Sequence, residues 1–118
     1  MQFSTTKQLS DFYVAGINYR KADAALRGQF AVNEDQYRSI LSKAKDFGIN
    51  ELFILSTCNR TEIYGFATDA KQLTALLCSE TKASIETFYQ SAYIKQGKGA
   101  VEHLYHVAAG LDSQILGD

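Results

Sequence analysis

The chain has 118 residues, with 12 basic and 13 acidic side chains, two cysteines, no proline and no tryptophan. An apolar fraction of 46% beside 21% charged residues is ordinary globular composition; it excludes a disordered chain, and the length predicts one domain burying roughly two-thirds of its unfolded surface. The net charge of −1 excludes a dominant nucleic-acid-binding surface, because gripping phosphates needs clustered Lys and Arg.

Met1 to Lys7 contains no apolar stretch of the kind that opens a secretory signal. Reduced thiols and a cytoplasmic location are therefore expected for the two cysteines. Nowhere do apolar residues approach the run of about 18 that a membrane span requires. Phe12 to Asn18 reads as a first strand, short and mostly apolar. A loop containing Ala22 to Gly28 follows it. Here lies the only local basic cluster, Arg20, Lys21 and Arg27, diluted by Asp23, so any nucleic-acid contact is limited in area.

Asn33 reads as the cap of a helix, with Gln36 at capping-box spacing and Val32 placed to staple onto Tyr37. Tyr37, Ile40, Leu41, Ala44 and Phe47 make one apolar face, and Gly48 ends the helix. Leu52 to Leu55 lacks alternation and predicts a buried second strand. Thr57-Cys58-Asn59-Arg60 makes a polar turn, and Glu62 to Thr68 is a third strand. Asp69 caps a second helix carrying Leu73, Leu76 and Leu77. A shorter helical piece from Ser84 to Tyr89, a weak strand from Ala92 to Lys95 and a helix from Gly99 to Gly110 complete the order. The order β-α-β-β-α-β predicts an α+β fold. Its form is a ferredoxin-like split βαβ antiparallel sheet with helices on one face and a further C-terminal helix.

The chemistry concentrates where the second strand ends. A rigid strand that delivers a thiol to a turn presents a nucleophile well, and turn amides can stabilise an oxyanion. Arg60, two positions on, favours thiolate over thiol or grips a carboxylate bidentately. The competing reading makes Cys58 a small buried residue in a hairpin. Cys78 follows Leu76 and Leu77 on an apolar stripe and reads as an inert core thiol. On the last helix His103 shares a stripe with Ala100 and Val107, whereas His106 falls beside Glu102 on the polar side. His103 is either a packed core residue or a base paired with a cysteine. Two histidines three apart with no third ligand make no zinc site. There is no G-x-G-x-x-G dinucleotide fingerprint, and Gly97-Lys98-Gly99 reads as a turn.

Ser56-Thr57-Cys58-Asn59-Arg60-Thr61-Glu62-Ile63-Tyr64 closely resembles the signature of the glutamyl-tRNA reductases. Gly16-Ile17-Asn18 and the run from His103 to Ser113 extend that likeness over almost the whole chain. The resemblance implies NADPH-dependent reduction of glutamyl-tRNA to glutamate-1-semialdehyde through a cysteine thioester, the first step of tRNA-dependent 5-aminolevulinate and tetrapyrrole synthesis. It implies Cys58 as nucleophile, His103 as a second catalytic residue, and Thr57, Asn59, Arg60, Ser113 and Asp118 as substrate contacts, with Asp118 standing where the family has Glu. It also implies that NADPH is bound, and a homodimer formed, by regions outside these residues, so that this catalytic domain carries acylation alone. Glutamate-1-semialdehyde aminotransferase is a further implied partner. The sequence departs from the family in having Tyr19 for His, Asp23 for Pro and Gly28 for Glu. Those departures motivate an alternative, a ferredoxin-like binding or regulatory module without catalytic activity.

Overall fold

The structure is a computed structural model that describes residues 7–110. Four strands, β1 (Phe12–Asn18), β2 (Leu52–Ser56), β3 (Arg60–Phe66) and β4 (Tyr93–Gln96), form one antiparallel sheet in the order β2-β3-β1-β4. Helices α1 (Ala24–Gln29) and α2 (Glu34–Lys43) connect β1 to β2, and α3 (Ala70–Cys78) with α4 (Ile85–Ser91) connect β3 to β4. This is the split βαβ sheet the element order predicts.

Strand alternation divides the sheet into two unlike faces. Ala15, Ile17, Ile54 and Ile63 point to α1–α4 and form the main core with Ile40, Leu73, Leu76, Leu77 and Phe88. The other face is covered by α5 (Lys98–Ala108), whose Ala100 and Leu104 pack on Val14, Tyr64 and Phe12. The trailing helix therefore makes a second layer on the sheet's opposite side.

The helix starts are set by side-chain caps. Asn33 and Gln36 close a reciprocal capping box on α2, and Asp69 with Gln72 does the same on α3. After Lys43 the α2 segment tightens into a 3-10 turn over Ala44–Phe47, and Gly48 ends it in the left-handed region at φ 79°.

Several sequence expectations need correction. The predicted loop at Ala22 to Gly28 contains α1, a six-residue helix whose start is fixed by Asp23 accepting from the Leu26 N–H at 2.8 Å. It is too short to show periodicity, and a cap determines it. Leu41 is half exposed, because the helical stripe is wider than the surface it meets. The second strand is an edge strand. Ile54 enters the core, but Phe53 lies on the other face, stacked on Tyr64 with centroids 4.6 Å apart, so an unbroken apolar run serves two environments. The third strand begins two residues early, at Arg60, because the turn closes tightly.

Candidate active site

The turn between β2 and β3 is held from four directions. The Thr57 N–H donates to the Arg60 carbonyl at 2.8 Å, and the Asn59 N–H donates to Thr57 Oγ1 at 3.2 Å. Tyr19 N–H reaches the Asn59 carbonyl at 3.0 Å. From α1, Arg27 Nε donates to the Cys58 carbonyl at 3.1 Å while its Nη1 reaches the Ala22 carbonyl at 2.6 Å. At the apex Cys58 is exposed, and its own N–H makes no hydrogen bond among the described residues. The buried-hairpin reading of this cysteine therefore falls. Cys58 opens onto a cavity of about 540 Å³ shared with Gly28, Val32, Gln36 and Lys82. Cys78 is half buried at the end of α3, where burial above all pushes its thiol up to about 11.

Arg60 turns the other way. With 2% exposure it lies on the α5 face of the sheet, 3.5 Å from Glu62, and lines a separate 290 Å³ cavity with Leu55, Leu104 and Val107. Thr57 lines both this cavity and that of Cys58, so it stands between the thiol and the guanidinium. Asn59 is fully buried beneath the turn. His103 is buried with Ala100 and Val107, as its stripe predicts, and His106 is exposed. His103 lines a third cavity rather than that of Cys58. Ser113 and Asp118 lie outside the described residues.

Glu62 is the residue that sequence reasoning passed over. It has no exposed surface, and four side chains converge on it. His103 Nε2 lies 2.5 Å from Oε2, Tyr93 donates to the same oxygen, Tyr64 donates to Oε1 at 2.7 Å, and Arg60 stands behind. Burial pushes the carboxyl's pKa upward. The hydrogen bonds from His103, Tyr93 and Tyr64 outweigh it and hold the group below its ordinary 4.5. An ionised Glu62 takes the proton-bearing Nε2 of His103, which leaves Nδ1 as the ring's acceptor when the imidazole is neutral. Tyr93 is locked as a phenol, since burial and the adjacent carboxylate both raise its pKa. The signal was present in the alternation Arg60, Glu62, Tyr64, which places three polar-tipped side chains on one strand face. Lys82, the cation at the Cys58 cavity, carried no such signal.

Among the described residues the one strand-to-helix turn containing glycine is Gly97 itself, a single residue between β4 and α5. The pyrophosphate of a dinucleotide bound in the Rossmann manner sits on a longer glycine-rich turn at a helix start, and the described residues hold no such turn. The described residues also hold no group of three or more His, Cys, Asp or Glu suited to a metal, and no helix long and apolar enough to cross a membrane.

Comparison with known proteins identifies the family. The family described as the glutamyl-tRNA(Glu) reductase N-terminal domain matches residues 15–118. A glutamyl-tRNA reductase of Flavobacterium psychrophilum is 47% identical over all 118 residues, which cover 29% of that protein. One from Christiangramia forsetii is 49% identical over 107 residues, 91% of this chain and 26% of its own length. The solved glutamyl-tRNA reductase from Methanopyrus kandleri superposes with a TM-score of 0.69 at 27% identity, over 92% of this chain and 25% of that one. The chain thus spans little more than a quarter of the relatives it matches. With the sheet order, the exposed cysteine turn and these likenesses in agreement, the chain belongs to the glutamyl-tRNA reductase N-terminal domain family.

Proposed function

We propose that this domain receives the glutamyl end of glutamyl-tRNA and transfers it to Cys58. The transfer serves NADPH-dependent reduction to glutamate-1-semialdehyde, the first step of 5-aminolevulinate and tetrapyrrole synthesis. The observation that carries the reading is Cys58 itself, exposed at the apex of a turn whose backbone is tied to β1 and α1. Its thiolate attacks the ester carbonyl. A carbon–sulfur bond forms, the bond to the terminal ribose oxygen breaks, and that oxygen leaves with a proton. The Cys58 N–H, which has no partner among the described residues, supports the developing oxyanion. Thr57 and Asn59 shape the turn, and Arg60 takes the glutamate side-chain carboxylate, an interaction glutamine cannot reproduce.

In this reading His103, oriented by Glu62, serves as the second catalytic group, and Ser113 and Asp118 contact substrate. NADPH is the hydride source of the overall reaction, and the part of the described residues ends at the thioester. The proposal extends to a cytoplasmic homodimer, with a glutamate-1-semialdehyde aminotransferase consuming the aldehyde. The test is incubation with glutamyl-tRNA labelled in its glutamate. The wild-type protein is expected to form an acid-stable labelled adduct and slowly release glutamate, whereas Cys58→Ser forms no adduct. Equal release by both, with no adduct, removes Cys58 as nucleophile and favours a binding module. Gly28 in the Cys58 cavity, where the family has Glu, is the feature pointing to that second reading.

A further inference from the structure

The cavity beside His103 is set apart by its charge. About 290 Å³ in volume, it draws Arg20 and Lys21 from the β1–α1 turn, Lys95 from β4, and His103 and His106 from α5. Among the described residues no carboxylate lines it. The acid behind it, Glu62, is fully buried and already bonded to His103 and Tyr93. In a chain of net charge −1, three permanent cations and two histidines around one opening are a local reversal of sign. The sequence cluster Arg20, Lys21, Arg27 is thereby redrawn. Arg27 leaves it to hold the Cys58 turn, and Lys95 enters from 74 residues further on than Lys21.

The basic loop is also fixed in place and tied to the thiol. Asn18, 5% exposed, accepts from the Arg20 N–H through Oδ1 at 3.1 Å and from the Lys21 and Ala22 N–H groups through its carbonyl at 3.3 and 3.1 Å. The next residue, Tyr19, is bonded through its N–H to Asn59, the neighbour of Cys58. The Arg20 guanidinium lies over the Tyr19 ring, 5.3 Å from its centroid. Cations and nucleophile are therefore held by adjoining, hydrogen-bonded turns.

We propose that this cavity is a phosphate site for the single-stranded 3′ end of a nucleic acid, seating a phosphodiester near the terminal nucleotide while the acyl ester reaches Cys58. The inference rests on the reading of Cys58 as acceptor and adds where the leaving nucleic acid is held. Lys and Arg side chains neutralise a phosphodiester without reading sequence, which suits an invariant 3′ end and an otherwise near-neutral domain.

The probes are the trinucleotide CpCpA and inorganic phosphate, each titrated into the protein while backbone amide shifts are followed at two salt concentrations. CpCpA is expected to shift Arg20, Lys21 and Lys95. Lys21→Ala/Lys95→Ala should bind it about tenfold more weakly, with the log–log salt slope reduced by about one for each lysine–phosphate pair removed. Lys71→Ala, on α3, should bind like wild type. Shifts elsewhere, an unchanged affinity in the double variant, or phosphate binding as tightly as CpCpA would overturn the assignment. Labelling from glutamyl-tRNA separates this idea from the reading beneath it. Full-rate adduct formation by the double variant sinks the phosphate site alone. Absence of adduct in the wild type, with CpCpA still bound at these residues, sinks the acyl-acceptor role alone.

Discussion

A carboxylate with no exposed surface survives only where donors replace the water it has lost, and Glu62 has three hydrogen-bond donors and a guanidinium. Its folded-state pKa lies below the ordinary 4.5, so the fold favours the ionised form. The stability this contributes is present above the unfolded value and is lost as pH falls through the folded one. Glu62→Gln should lower the unfolding free energy at neutral pH by about 1–3 kcal/mol, since a donor amide then faces donors. Urea titrations of both proteins should show that difference closing as the pH drops below 4.5. A difference as large in acid as at neutrality contradicts the ionised assignment. The two thiols give a second residue-scale test. Iodoacetamide should label exposed Cys58 well before Cys78, whose pKa of about 11 leaves almost no thiolate near neutrality. Equal, slow labelling of both would mean that Cys58 is not presented as the turn implies.

At the scale of elements, Gly16 decides whether the polar cluster can form. Register places Glu62 on one side of it and Tyr93 on the other, so Tyr93 reaches Glu62 across the bare backbone of β1. A Cβ at Gly16 would stand 2.7 Å from Glu62 Cγ and 2.8 Å from the Thr61 carbonyl. Gly16→Ala should cost about 1–3 kcal/mol by overpacking and break the Tyr93–Glu62 hydrogen bond, with urea unfolding as the measurement. A neutral outcome would show that the strands can shift without penalty. Sequence reading located most elements because their signals are local. Asn33 with Gln36 and Asp69 with Gln72 span one helical turn, and Gly48 marks a stop. It missed α1 because a cap at Asp23 and a single anchor at Arg27 replace periodicity there.

For the whole molecule, the difference between the sheet's two faces matters more than its size. The α1–α4 side is a dry core, and Leu76→Ala there should cost about 2–5 kcal/mol. On the α5 side Leu104 is half buried beside a polar cluster and two cavities open against the helix, while that of Cys58 opens toward α1 and α2. Leu104→Ala is therefore expected to cost distinctly less in the same urea titration. An equal cost would mean that α5 is as integral to folding as α3. The division puts the main apolar core on one face and the buried polar cluster around Glu62 on the other, with the Cys58 turn at the edge between them.

The order of strands and helices, their caps, the Cys58 turn and the burial of His103 follow from residues a few positions apart, where backbone geometry and short-range hydrogen bonds act. Local sequence therefore determines them. Which way Arg60 points, the gathering of Tyr93 and His103 on Glu62, and the meeting of Lys95 with Lys21 join residues 31 to 74 positions apart. Only the pairing of β4 with β1 and the seating of α5 on the far face bring them together. Nothing in a local pattern encodes the partner on another strand, so those decisions belong to the tertiary structure.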